Sequence, residues 1–313
     1  MAFGLSTLVV PQPDAFYGAN DVFACRTTGA TGSELYYATG LSQGSIIDIA
    51  PPYYQKPDAI EEITSVGETL FLSALDSANR HLWISDGSGV GTVPHPGGTL
   101  AASAVVDPEK LQPWQNGVVF VAGDSVYYAT TTTLDRLYQS SRPLPLLVGV
   151  AGTTLLVGDR RAGSLGPVTY RKFTSQTDAG TDIGAFGGNN NTDRASSVLS
   201  CNSGVCYIST TYELPTHTRR IYYFNGTSAS ASIYEDTVFG DLYMTMAGTS
   251  GYFSGSGKEP YRADGASVAL LKDIAPLAGS SPKVFTAAGS RVFFFADDEV
   301  HGRELWVEHG QAC

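Results

Sequence analysis

Histidines set beside carboxylates and arginines are the residues of this sequence best suited to acid–base chemistry or ligand binding. His217-Thr218-Arg219 and His301-Gly302-Arg303 repeat one pattern, and the acidic run Asp297-Asp298-Glu299 stands just before His301. An imidazole near a carboxylate can exchange a proton at neutral pH, which suits a hydrolase or lyase working in one central pocket. Tyr53, Tyr54 and Tyr212 add aromatic faces, and Arg160-Arg161 adds a local positive spot. The same mixture serves binding without catalysis. The candidate binding set is therefore Tyr53, Tyr54, Arg160, Arg161, Tyr212, His217, Arg219, Asp298 and His301, with no residue assigned to catalysis. Asn189-Asn190-Asn191-Thr192-Asp193 and Asp297-Asp298-Glu299 could offer oxygens to Ca2+, but neither has EF-hand spacing, so no metal or other cofactor is expected. The chain contains no HExxH, P-loop or dinucleotide fingerprint.

What must position these residues is a repeat. Seven segments align on an anchor residue: Tyr36, Trp83, Tyr127, Thr169, Tyr222, Tyr261 and Trp306. The anchors are spaced by 47, 44, 42, 53, 39 and 45 residues, and seven such units fill the 313-residue chain. Gly follows four residues later in five of them, as Gly40, Gly87, Gly226, Gly265 and Gly310; Thr131 and Phe173 stand there in units three and four. Before each anchor lies a short apolar run such as Thr69-Leu70-Phe71-Leu72 or Val118-Val119-Phe120-Val121, rich in β-branched and aromatic residues. A further strand follows the glycine, as in Val268-Ala269-Leu270-Leu271-Lys272-Asp273-Ile274. Four short strands in about 45 residues, without helical periodicity, describe a blade of a β-propeller. The expected fold is all-β, a seven-bladed β-propeller of four-stranded blades forming one domain over residues 1–313. The last unit runs out after its third strand, and Leu5-Ser6-Thr7-Leu8-Val9-Val10 reads as the missing fourth, so the N-terminal strand is expected to complete the last blade and close the ring. The recurring aromatic is read as packing between blades, and Asp86 and Asp264 as turn carboxylates that hold nearby backbone N–H groups.

The motifs His81 to Gly87 with Gly91-Thr92, Glu259 to Gly265 with Lys272-Asp273-Ile274, and His301 to Trp306 resemble the ELWxxDGT-type repeat family of extracellular bacterial β-propellers. The resemblance covers the chain at repeat level and is strongest in units one, two, six and seven. It implies the fold and an exported location, and no particular chemistry.

Charged residues are only 16% of the chain and the net charge is −11, which argues against a nucleic-acid partner. No apolar run reaches the length of a membrane span. The stretch at residues 5–10 lacks the flanks of a signal peptide, so an exported protein would carry its signal outside this sequence. Location is expected to be extracellular, periplasmic or at the cell surface. Cys201 and Cys206 flank a turn and are expected to bond; Cys25 and Cys313 are expected to pair and clasp the ring. Tight turns join first to second strands, while the connections at residues 51–59, 94–109, 158–167, 184–194, 210–218 and 296–302 are long. In a propeller the long connections share one end, where function resides on loops held by a rigid scaffold. The function expected is a binding or adhesion module that recognises a glycan or protein through this end. The alternatives are the hydrolase or lyase, and a structural or assembly protein without a small ligand.

Overall fold

The computed structural model describes residues 17–19, 22–29, 32–39, 46–47, 60–75, 79–86, 91–98, 100–101, 104–140, 146–160, 167–186, 195–212, 218–237 and 244–309. Its contacts divide the chain into two compact units, Met1–Pro143 and Leu144–Cys313. The first holds three four-stranded sheets: β1 to β4 (Tyr17–Ala19, Val22–Gly29, Gly32–Thr39, Ile46–Ile47), β5 to β8 (Ile60–Val66, Thr69–Leu75, Arg80–Ser85, Val93–Pro94) and β9 to β12 (Glu109–Trp114, Gly117–Ala122, Ser125–Ala129, Leu134–Gln139). The second holds three more: β13 to β16 (Leu147–Ala151, Thr154–Arg160, Val168–Phe173, Thr181–Phe186), β17 to β20 (Ala195–Asn202, Val205–Tyr212, Thr218–Phe224, Ala229–Asp236) and β21 to β24 (Thr245–Ala247, Ser250–Ser254, Pro260–Asp264, Ser267–Leu270). It ends in a three-stranded sheet, β25 to β27 (Lys283–Ala288, Arg291–Asp297, Arg303–His309). Each strand pairs antiparallel with its neighbours in sequence, and no α-helix occurs among the described residues. No helix there is long and apolar enough to cross a membrane.

The repeat explains the sheets. Every anchor lies in a third strand: Tyr36 in β3, Trp83 in β7, Tyr127 in β11, Thr169 in β15, Tyr222 in β19, Tyr261 in β23 and Trp306 in β27. The apolar runs before them form the second strands; β6 and β10 hide nearly every side chain on both faces, whereas β26 in the last sheet alternates between buried and exposed residues. A strand covered on both sides loses the alternation of a half-buried one. Outer strands such as β16 and β24 are largely exposed. Within each unit the first strands of successive sheets pack together, β1 on β5 and β5 on β9, then β13 on β17, β17 on β21 and β21 on β25. Aromatic and aliphatic side chains fill the space between sheets. Phe71 and Leu82 meet Phe120 and Val118 in the first unit; Tyr207 and Ile221 meet Phe253 in the second.

First and second strands join by two-residue turns whose first residue takes a left-handed φ: Gly67 at 59°, Gln115 at 53°, Gly152 at 59°, Ser203 at 48°, Gly248 at 58° and Gly289 at 63°. That handedness matches the twist of paired strands. One of these turns carries the expected disulfide, since Cys201 and Cys206 face each other across β17 and β18 and are bonded. Gly149 makes room for it, because a Cβ there would stand 2.5 Å from Cys201 Sγ. The backbone of Cys25 lies in β2, but its side chain and all of Cys313 lie outside the described residues, as do residues 5–10. One expectation is corrected. The strand read over residues 268–274 stops at Leu270, and Lys272-Asp273-Ile274 belongs to the loop that follows.

Candidate functional site

In the second unit, two connections at the long-loop end of the sheet β21 to β24 enclose a cleft of about 600 Å³. One is the turn at residues 255–259, between second and third strands. The other is the loop at residues 271–282, which leads on to β25. Lys258, Tyr261, Leu270, Asp273, Pro276 and Leu277 line it.

The loop is held by a buried carboxylate. Glu259, at 6% exposure, accepts hydrogen bonds from the N–H groups of Ile274 (3.0 Å), Ala275 (3.4 Å) and Ser280 (2.8 Å) and from Ser280 Oγ (2.7 Å). Four donors satisfy a charge that would otherwise be costly to bury. The two connections then approach closely: Ser281 N–H donates to Lys258 O at 2.8 Å, and a Cβ on Gly279 would stand 2.1 Å from Gly257 O. Gly279 also has φ of 80°, so this position takes glycine for two separate reasons. Lys272 lies 4.8 Å above the ring of Trp306, which ties the loop to the last sheet. Leu277 crosses the tip at 93% exposure. On the opposite side Tyr261 packs against Phe253 and Tyr234.

The loop from Asp297 to Gly302 stands beside this cleft. Glu299 Oε1 accepts N–H bonds from Leu277 (3.1 Å) and Ala278 (2.5 Å), a second carboxylate on the same loop. Asp297 Oδ1 accepts from Glu299 N–H at 2.8 Å. Asp298 Oδ1 accepts from the N–H groups of Val300 (3.0 Å) and His301 (2.7 Å), and its Oδ2 lies 2.8 Å from His301 Nδ1. The His301 side chain, with these N–H groups, holds the Asp298 carboxyl down at about 2. In return Asp298, by hydrogen bond and charge, and then Glu304 by charge, raise His301 above 6.5. The pair therefore acts between pH values set by both partners. It is fully present below the ordinary histidine value and is lost as pH rises through the raised value of His301. At the acid end it is present above 3.8 and is lost as pH falls toward 2. An NMR titration is expected to place the His301 midpoint above 6.5, and Asp298→Asn to bring it back. A wild-type midpoint at or below 6.5 would show that the pair does not form in solution.

Of the residues singled out by sequence, Asp298 and His301 come together. Arg219 lies inside β19, 4% exposed, rather than on a loop. Its Nε donates to Asp236 Oδ1 at 2.7 Å, its Nη2 contacts Asp236 Oδ2, and the same Nη2 donates to Ser254 O at 3.3 Å. Tyr234 Oη donates to Asp236 Oδ2 at 2.9 Å and accepts from Ser256 N–H, so the network braces the turn that forms one wall of the cleft. Burial pushes the Tyr234 phenol well up, keeping it a donor. Arg160 and Tyr212 end β14 and β18, with side chains outside the described set; Tyr53, Tyr54, Arg161 and His217 lie outside it altogether. The sequence reading missed the cleft residues. The available signal was Glu259 two residues before the anchor Tyr261, the spacing that recurs in Glu34 with Tyr36 and Glu304 with Trp306.

No protein-family model and no curated protein sequence matches the chain. Solved structures do. Dipeptidyl peptidase 4 of Porphyromonas gingivalis superposes with a TM-score of 0.59 at 10% identity, over 93% of this chain and 51% of that one. The β-propeller domain of the Trilobed protease from Pyrococcus furiosus gives 0.53 at 11% identity, over 95% of this chain and 94% of that domain. BamB from Moraxella catarrhalis gives 0.52 at 12% identity, over 95% and 82%. The chain spans about half the length of the peptidases it matches. At such identity the likeness shows the fold alone, a β-propeller built of four-stranded antiparallel sheets.

Proposed function

We propose that this propeller is an exported binding module that engages a glycan or a protein through the long-loop end of its second unit. The observation that carries the reading is the cleft between residues 255–259 and 271–282. Its outer loop is fastened by Glu259 and Glu299, and it still presents Leu277 almost wholly to solvent. A leucine held out on a loop with little conformational freedom left loses little entropy on binding. Tyr261 and Pro276 supply adjacent apolar surface, and Lys258 and Asp273 supply polar groups for orientation. The bonded Cys201–Cys206 pair supports an oxidising compartment and so the exported location, as does the resemblance of the repeats to extracellular propellers. The same reading takes the fold as one seven-bladed ring over residues 1–313. Residues 5–10 then add a strand beside β27, and Cys25 and Cys313 bond across the junction.

The test is a glycan array and a pull-down with the whole chain, followed by affinity measurements on Leu277→Asp and Lys258→Ala. Capture of a defined ligand, weakened at least tenfold by Leu277→Asp with folding unchanged, is the expected result. Binding indifferent to both variants overturns the assignment of the cleft. The His301–Asp298 pair favours a second reading, a hydrolase or lyase with His301 as general base. Turnover of a hydrolase or lyase substrate that His301→Ala abolishes would put that reading first.

A further inference from the structure

We infer that Asp298, His301 and Glu304 form an open three-ligand site for a divalent first-row transition cation, of which Zn2+ is the natural probe. One ring nitrogen and two carboxylate oxygens, one from each residue, all lie within 4.8 Å of one another. Ligand bonds of about 2.0–2.2 Å place neighbouring donors about 3.3–3.6 Å apart around a tetrahedral ion. The contact of 2.8 Å between His301 Nδ1 and Asp298 Oδ2 lies inside that edge, so a slight opening of the pair makes room for the ion. Glu304 is exposed near the start of β27, so packing does not lock its side chain in place.

The surroundings separate this set from an ordinary acidic surface. Asp298 is oriented by two backbone N–H bonds, the outer-sphere support that fixes a ligating carboxylate. The flanking carboxylates are committed elsewhere, Asp297 to Glu299 N–H and Glu299 to the loop of the neighbouring sheet. The oxygen-rich run that suggested Ca2+ is thus divided, and what remains includes an imidazole. Imidazole with carboxylate favours Zn2+ and its neighbours over Ca2+ or Mg2+, which take oxygen ligands. His301 is exposed, so a fourth position stays open to water or to a donor from a bound molecule.

The measurement is calorimetric titration of the chelator-treated whole chain with Zn2+, with Co2+ visible absorption as a second readout. One saturable equivalent in the micromolar range is expected. His301→Ala and Glu304→Gln should each weaken it tenfold or more, and His81→Ala should leave it unchanged. Circular dichroism of the surface variants confirms that they fold. Absence of saturable binding, or binding that survives His301→Ala, overturns the site. The titration involves the ion alone, so a negative result leaves the cleft reading standing, and loss of the cleft reading leaves the ion site standing.

Discussion

Glu259→Ala will lower the stability of the second unit by about 3–5 kcal/mol, because four donors lose their acceptor at once and an unmet buried donor costs about 1–3 kcal/mol. The full sum is not reached, since the loop at residues 271–282 can loosen and let water reach Ala275, whose bond is the longest at 3.4 Å. The Ser280 hydroxyl can also turn away. Ile274 N–H and Ser280 N–H have less freedom, as Ser280 is fully buried and Ile274 packs with Phe294 and Ala296. Glu259→Gln separates charge from shape. The amide keeps one acceptor oxygen but turns an NH2 group toward N–H donors, so a loss of about 2 kcal/mol is expected from one donor left unmet and one opposed. Urea unfolding followed by tryptophan fluorescence gives both values. Hydrogen exchange should show residues 273–281 opening in Glu259→Ala before the strands do. A loss below about 1 kcal/mol for alanine would mean that the carboxylate is not the clamp.

The clamp recurs, and this makes sense of the acidic residues of the repeat. Glu62 on β5 accepts the N–H groups of Lys110 (2.8 Å) and Leu111 (2.7 Å) on β9, which joins one sheet to the first strand of the next. Lys110 has a left-handed φ of 59° beside a register shift between β9 and β10, so its N–H is turned out of the ladder and needs another acceptor. Glu299 performs the same service for Leu277 and Ala278. Carboxylates thus take up the backbone groups that a sheet edge or bulge leaves over.

Strands, third-strand anchors, tight turns and the Cys201–Cys206 bond could be read from sequence because each is local. A β-branched run, a turn residue able to adopt positive φ, or two cysteines across a hairpin declare themselves within about ten residues. The clamps do not. Glu259 and its partners at 274–280 are separated by two strands, β23 and β24, and nothing in the residue type says that this glutamate is buried while Glu304, in the same place of its repeat, is exposed. Asp264 shows a similar limit. Read as a turn carboxylate, it accepts from Ser250 Oγ across the β22–β23 pair and meets Arg262 Nε at 2.8 Å. Arg219 and Arg303 occupy equivalent positions yet have opposite fates. Asp236 on the fourth strand β20 stands opposite Arg219, whereas β27 has no fourth-strand neighbour among the described residues and Arg303 is exposed.

That difference leads to the second large effect. Asp236→Leu or Arg219→Met alone is expected to cost about 3–5 kcal/mol, since each leaves the opposite charge buried without its partner. Both side chains are nearly inaccessible, at 5% and 3%, so water cannot readily compensate. The double variant Arg219→Met, Asp236→Leu removes both charges and fills much of their volume. Replacing a buried pair with apolar groups is often neutral or better, so the double variant should lie within about 1–2 kcal/mol of wild type, well above either single. Its residual cost has an identified source: Tyr234 Oη loses an acceptor and Ser254 O loses a donor. Adding Tyr234→Phe to the double variant removes the Oη that lost its acceptor, but takes the acceptor from Ser256 N–H, which can turn to solvent. Chemical denaturation of the four proteins of the cycle gives the coupling directly. If the double variant is as unstable as the sum of the singles, the two charges contribute independently and the pair is not what holds β19, β20 and the turn at residues 255–259 together. If it recovers, the pair sets geometry at little net gain in stability. The cleft wall should then be the part that changes, seen as faster exchange at Ser256 in a molecule whose overall stability is nearly restored.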